Sequence, residues 1–345
     1  MTTAYFLFAR INQAKVPHFC FDMSLQISKL SQRSRDKRIL RDVSFNVERG
    51  KVLGLFGVSG SGKTTILKAV AGLDKAGGSI SFDSNDVTGL ARDVRNFHFA
   101  APPARSFLGG FVKNDSSTQL SSGERAAVMI ADALESINEV LLLDDPFCSM
   151  DDFLKQEFSQ KLRKLVESRN LSVVLATSSY EDVLTHCDSV ALLAGGEIIQ
   201  TGTPQQVYSN PISYEAARIT GANNLFEARR FTSNKSENPQ FQTLFGEHRL
   251  GVEKMERSAL GAINQNVWLG IRPEHVSIAF GASFPEDNLL KAVITGVHLL
   301  GSTTIVELDA KGLKLSALVL RLVGLSVGDE CMLGLPTDRI QVFKS

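Results

Sequence analysis

The segment Gly57-Val58-Ser59-Gly60-Ser61-Gly62-Lys63-Thr64 restricts this chain more than any other stretch. It matches G-x-x-x-x-G-K-[ST] and stands between a short apolar run, Val52-Leu53-Gly54-Leu55-Phe56, and a helix pattern that begins near Thr64. A strand that turns through glycines into a helix aims backbone N–H groups and the positive end of the helix dipole at one point. That point suits a chain of phosphates. Lys63 supplies a point charge for β and γ phosphates, the Thr64 hydroxyl is a ligand for Mg2+, and Thr65 follows in the same first turn. A merely flexible loop has no need of lysine and threonine at those positions, so the segment implies nucleotide binding.

A second piece fits the first. Val140-Leu141-Leu142-Leu143-Asp144-Asp145 is an apolar strand ending in two carboxylates. Asp144 is placed to hold Mg2+ through water, and Asp145 to orient an attacking water. Ser172-Val173-Val174-Leu175-Ala176 is another run of the kind buried on both faces of a sheet. Helical stretches around 123–136 and 152–168 separate these runs, and strand and helix in alternation predict a mainly parallel α/β sheet. Ahead of them, Ser24 to Leu30 and Val43 to Val47 alternate apolar and polar as half-buried strands. A basic stretch between the two (Arg33, Arg35, Lys37, Arg38) reads as a solvated hairpin.

The character changes after about residue 220. Short strand-like pieces at 267–271, 276–279, 290–295, 303–308, 313–318, 330–335 and 340–343 are separated by Gly, Pro and Asp, the spacing of a small β-barrel or sandwich. Residues 232–262 are polar and read as an outer loop or irregular strands.

Composition excludes other classes. Lys plus Arg and Asp plus Glu each number 37, giving zero formal net charge, which argues against a protein that coats nucleic acid. The four cysteines (Cys20, Cys148, Cys187, Cys331) have no CxxC spacing, so neither a disulfide framework nor a zinc site is expected, and a reducing cytosol fits. No run approaches the roughly 18 apolar residues of a membrane span. The stretch from Ala4 to Ala9 is too short for a secretory signal.

Leu120-Ser121-Ser122-Gly123-Glu124-Arg125 precedes the Asp144 strand, and Ser149-Met150-Asp151 follows it. Here the chain resembles the ATPase subunits of ABC transporters, whose signature reads Leu-Ser-Gly-Gly-Gln/Glu and whose D-loop follows the acidic strand. Residues 192–204 and 207–211 are similar to the last strands of that ATPase, and residues 221–226 look like its junction with an appended domain. Gly270-Ile271-Arg272-Pro273-Glu274-His275-Val276 and Gly334-Leu335-Pro336 are similar to the C-terminal TOBE-like (OB-type) β domain of the importer branch serving sugars, polyamines, iron and oxyanions. The resemblance implies a P-loop NTPase domain over 23–220, a small all-β domain over 221–345, and an N-terminal extension or translation-start artefact over 1–22. It also implies a homodimer that sandwiches two MgATP. Ser121, Ser122, Gly123 and Glu124 of one copy would cover the nucleotide on Gly57 to Thr65 of the other. The remaining partners implied are membrane permease subunits, and the location cytoplasmic, peripheral on the inner face of the cell membrane.

Several positions depart from the resembling pattern. Ser121 stands 58 residues after Lys63 (121 − 63), several tens fewer than in the family, so the helical subdomain is expected to be shortened. Ala100 or Ala101 stands where a glutamine is expected, Ser122 replaces a signature glycine, and no aromatic lies between Leu30 and Leu40 to stack on adenine. Asp145 stands where the family has glutamate, one methylene longer, and Ser178 falls at the family's switch histidine. Asp145, Lys63 and Ser178 are thus the catalytic candidates. Phosphoryl transfer depends on positioning and charge, so binding should survive these changes better than turnover. The function implied is ATP hydrolysis driving solute import. The alternative is a catalytically impaired nucleotide-binding regulatory or interaction protein. A P-loop kinase has no place for the Leu120–Arg125 signature or the β domain.

Overall fold

Leu53 to Phe56 lie buried on both faces of their strand because helices or a second sheet cover each side. The computed structural model describes residues 24–34, 37–101, 131, 135, 138–148, 150–221, 223–231, 239–253, 262–280, 287–320 and 324–344. The expected extension (1–22), the Ser121–Glu124 signature and the segment of the shortened helical subdomain lie outside the described residues, as does most of the helix expected around 123–136.

Six strands form the central sheet in the order β10-β9-β3-β8-β7-β6. They are β3 (Lys51–Phe56), β6 (Phe97–Ala100), β7 (Val140–Asp144), β8 (Ser172–Thr177), β9 (Ser189–Ala194) and β10 (Glu197–Gly202). All neighbouring pairs are parallel except the β9–β10 hairpin. Side chains alternate between the two faces, as strand geometry requires. Val174 and Ala176 point to one core with Leu53 and Leu55, while Val173 and Leu175 point to the other with Val52.

The first core holds helix α1 (Lys63–Val70), which buries Ile66, Leu67, Ala69 and Val70. Full burial of a side chain like Ile66 or Leu67 contributes about 1.5–3 kcal/mol. A four-stranded antiparallel sheet in the order β2-β1-β4-β5 closes this side: β1 (Ser24–Ser34), β2 (Lys37–Glu48), β4 (Gly77–Phe82) and β5 (Asn85–Asp86). The described ends of the basic stretch pair across β1 and β2 as a hairpin requires, with Arg33 opposite Arg38. The opposite face carries α2 (Asp152–Arg169), α3 (Tyr180–His186), α4 (Pro204–Ser209) and α5 (Tyr214–Ile219). Phe158, Leu162 and Val166, at helical spacing on α2, fill the groove above β7 and β8.

Arg95 joins the two sheets on the α1 side. It is 6% exposed, and its guanidinium donates to Ala69 O (3.0 Å), Val70 O (2.7 Å), Thr88 O (2.7 Å) and Leu90 O (2.9 Å). Two of those carbonyls end α1, where the helix leaves acceptors unpaired and its dipole favours a cation. Arg95 thus fastens the turn after β5 to the rear of α1.

The later residues form two five-stranded antiparallel sheets around one apolar core. One runs β13-β12-β11-β14-β20, built from β11 (Asn224–Arg230), β12 (Gln240–Thr243), β13 (Arg249–Gly251), β14 (Asn266–Ile271) and β20 (Gln341–Lys344). The other runs β15-β19-β16-β17-β18, built from β15 (Ser277–Ala279), β16 (Asp287–Leu299), β17 (Thr304–Ala310), β18 (Leu313–Val319) and β19 (Glu330–Pro336). Phe226, Leu269 and Val342 of the first meet Leu290, Val306 and Leu333 of the second. Within the undecided polar stretch, β12 and β13 are regular strands.

A seam connects these sheets to the helices before them. Arg272, 5% exposed, donates to Tyr208 O (2.8 Å) and Thr220 Oγ1 (2.9 Å) and lies 3.9 Å over the Tyr208 ring. Tyr208 donates its hydroxyl to Glu274 at 2.8 Å, and Trp268 packs on Tyr214 with ring centroids 4.5 Å apart. Among the described residues, no helix is long and apolar enough to cross a membrane.

Candidate nucleotide-binding site

Parallel strands place their C-terminal ends side by side, and in such sheets that edge holds the ligand. Here β3 delivers Gly57, its neighbour β8 delivers Ser178, and β7 beyond it delivers Asp144 and Asp145. The loop from Gly57 to Gly62 has a buried floor and an open rim: Gly57, Ser61 and Lys63 are buried, while Val58, Ser59 and Gly60 are exposed. Gly57 has no room for a side chain, because a Cβ would stand 2.4 Å from Leu193 O and 2.6 Å from Ser61 Oγ. Gly62 caps α1 at φ 111°, a conformation that glycine adopts without strain.

Lys63 opens α1 and folds back over the loop, its Nζ donating to Gly57 O (2.6 Å) and Val58 O (3.2 Å). Burial lowers its pKa, while Asp145 and Asp144 oppose the shift. Thr64 Oγ1 donates to Asp144 Oδ2 at 2.7 Å, so the hydroxyl and carboxylate predicted to share Mg2+ already meet. Thr65 is half-buried in the same turn. Burial raises the pKa of Asp144, against the pull of the Thr64 hydroxyl and Lys63. Two hard oxygen groups on one point suit a small divalent cation. Among the described residues no three or more His, Cys, Asp or Glu side chains converge to form a metal cage, so a cation here would depend on Thr64, Asp144 and the bound phosphates.

Asp145 turns the chain out of β7 with φ 49°, held by its N–H donating to Ala176 O at 2.8 Å. Burial raises its pKa; Lys63 and Lys155 pull it down, and Asp144 and Asp182 push it up. Each charged group of the site is thus held toward its neutral form by burial, and an incoming opposite charge has the most to offer there. Ser178 is exposed in the bend after β8. His186, the nearest histidine to that position in sequence, lies at the far end of α3. Its Nδ1 is 2.7 Å from Ser159 Oγ and its ring stacks near Phe147 at 4.5 Å, so it does not reach the strand edge.

Lys63, Thr64, Asp144, Asp145 and Ser178 therefore share one edge of one sheet. Three neighbours were not singled out from the sequence. The Thr177 hydroxyl donates to Asp182 Oδ2 (3.2 Å), and Lys155 stands 3.6 Å from Asp182 Oδ1. Thr177 ends the β8 strand, Lys155 and Asp182 look like ordinary solvated charges of two helices, and only the fold brings the three together.

The fold and site define a P-loop nucleotide-binding ATPase joined to an all-β unit. The family model for ABC transporters matches residues 40–108, and that for the TOBE domain matches residues 269–343. The chain is 32% identical to a sulfate/thiosulfate import ATP-binding protein of Bacillus cereus, covering 60% of this chain and 69% of that one. It is 30% identical to a sulfate/thiosulfate import ATP-binding protein of Synechocystis (72% and 82% covered). It is 27% identical to a molybdate/tungstate import ATP-binding protein of Pyrococcus horikoshii (92% and 99% covered). The chain belongs to the ATP-binding subunits of ABC importers.

Proposed function

We propose that this chain hydrolyses MgATP on the edge formed by β3, β8 and β7 to drive import of a solute through membrane permease subunits. The observation that carries this is the meeting of Thr64 and Asp144 at 2.7 Å beside a buried lysine. The Gly57–Thr65 segment binds the phosphates by backbone N–H groups and Lys63. Thr64 and Asp144 would hold Mg2+, which supplies charge against the β and γ phosphates. Asp145 orients the attacking water and takes its proton, and the raised affinity of this buried carboxylate for protons suits that role. Ser178 is assigned a hydrogen bond to the γ-phosphate end.

Two copies would act together, the Ser121–Glu124 segment of each completing the other's site. In this reading residues 23–220 form the ATP-binding unit, 221–345 the β unit, and the assembly is peripheral on the inner face of the cell membrane. Relatives named for sulfate and molybdate import support an oxyanion as the solute. They also favour a transport role over a purely regulatory one.

The test is binding and turnover of MgATP by the full chain and by Lys63→Ala. Loss of the buried charge-assisted contacts should weaken binding about 100-fold, the equivalent of about 3 kcal/mol. A wild-type chain that binds no MgATP, or a Lys63→Ala chain that binds within twofold of it, overturns the proposal.

A further inference from the structure

We propose that the Lys155–Asp182 ion pair is a positioning element: it ties α2 to the bend that carries Ser178 and so sets the distance between Ser178 and Asp145. The inference rests on the hydrolytic role proposed above.

Thr177, the last residue of β8, is fully buried. Its hydroxyl donates to Asp182 Oδ2 at 3.2 Å and accepts the Ser179 N–H at 3.1 Å, which closes a small ring of bonds around Ser178. Asp182 lies in the first turn of α3, and its own N–H donates to Ser179 Oγ at 3.2 Å. Every polar contact that shapes the bend therefore passes through Thr177, Ser179 or Asp182. The Asp182 side chain is only 8% exposed, and a carboxylate so placed is costly without a cation. Among the described residues that cation is Lys155, 3.6 Å from Oδ1.

Lys155 comes from a different element. Its backbone N–H donates to Asp151 O at 3.0 Å, and Asp151 caps α2 by accepting the Leu154 N–H at 2.8 Å. The chain from Asp145 to Lys155 is thus pinned at both ends to the same strand end. Asp145 hangs from Ala176 O, and Lys155 hangs from Asp182, which grips Thr177. A shift of the start of α2 moves the Ser178 bend and the Asp145 turn relative to each other. The phosphate loop meets this set through backbone, the Gly57 N–H donating to Thr177 O at 3.4 Å, whereas the ion pair acts on the Thr177 side chain, so its loss bears on the reaction step more than on phosphate binding. The pair is half-buried, Asp182 inside and Lys155 at the rim, and such pairs add little to stability on average, so a positioning role is the better account of it.

The experiment compares full-length wild type with Lys155→Met, Lys155→Arg, Asp182→Asn and the Lys155→Met/Asp182→Asn double variant. Steady-state MgATP hydrolysis and hydrogen exchange of the 177–183 segment are read on each. Lys155→Met should lower kcat at least about tenfold with KM for ATP within twofold, and Lys155→Arg should restore most of the loss. The double variant should be no slower than the worse single variant, as partners in one contact require. Exchange at the Ser179 amide should quicken about tenfold in Lys155→Met. Unchanged kcat with a lowered melting temperature, additive losses in the double variant, or unaltered exchange at Ser179 each overturns the proposal. A wild-type chain that binds MgATP without turning it over removes the hydrolytic role, and the exchange data then decide the ion pair by themselves.

Discussion

Arg95→Met should cost the protein about 3 kcal/mol, more than its exposed surroundings on the sequence suggest. The guanidinium makes four hydrogen bonds, all to backbone carbonyls, and the two to Ala69 and Val70 are buried. Ala69 O also accepts the Gly72 N–H at 3.1 Å, so it keeps one partner when the arginine goes. Val70 O keeps none among the described contacts, and an orphaned buried acceptor costs about 1–3 kcal/mol. Removing a cation from the end of α1 adds about 0.3–1 kcal/mol, and loosening the Thr88 and Leu90 contacts adds a similar amount. Burial lowers the Arg95 pKa, which marks the offsetting desolvation and keeps the sum near 3 rather than 6. For a unit of this size about 3 kcal/mol corresponds to roughly 6–12 °C in melting temperature. Arg95→Lys, with one point charge in place of a planar fork, should recover about half. The assay is far-UV circular dichroism on heating without nucleotide. A shift below about 2 °C in Arg95→Met, or equal melting of the lysine variant and wild type, would refute the idea that the fork geometry holds the two sheets to α1.

Gly57→Ala places a Cβ 2.4 Å from Leu193 O, a backbone atom that cannot swing away. MgATP affinity should fall about 100-fold; affinity within threefold of wild type would show that the floor of the loop yields. Asp145→Glu extends the carboxylate by one methylene, and kcat should rise about tenfold, with further gain in Asp145→Glu/Ser178→His. A slower Asp145→Glu enzyme would mean that the site is fitted to aspartate. Burial holds His186 neutral, below its ordinary pKa of 6.5. The unfolded chain therefore binds more protons as pH falls through that value, and the native state loses stability there while keeping it above. Urea midpoints should drop between about pH 6.5 and 5 in wild type and less in His186→Gln; parallel profiles would exclude His186 as the cause.

Much of the architecture was legible because strand and loop obey local rules. Apolar runs such as 140–143 and 172–176 are typical of strands covered on both sides and are such strands here, and the glycine-lysine-threonine turn after Phe56 pointed to the sheet edge where the candidate residues gather. The alternation in Ser24 to Leu30 and Val43 to Val47, with the basic hairpin between them, identified two half-buried strands but not the third, because Leu25 finds its other partner only at Phe82, and pairing over such a distance is not a local property. Arg95, Lys155 and Asp182 escaped notice for a related reason. Arg95 bonds only carbonyls, which leave no mark in a sequence. Lys155 and Asp182 lie on different helices and look like ordinary solvated charges until the sheet sets their helices side by side.

The seam at Arg272 has a mechanical consequence. Its guanidinium is gripped by Tyr208, Thr220 and an aromatic face, and Trp268 leans on Tyr214 beside it. With so many short ties over so few residues there is little slack between the β sheets and the sheet that holds the phosphate loop. The seam thus works as a splint: the β sheets are held against the short helices that carry Tyr208 and Tyr214 rather than hung from a loose linker.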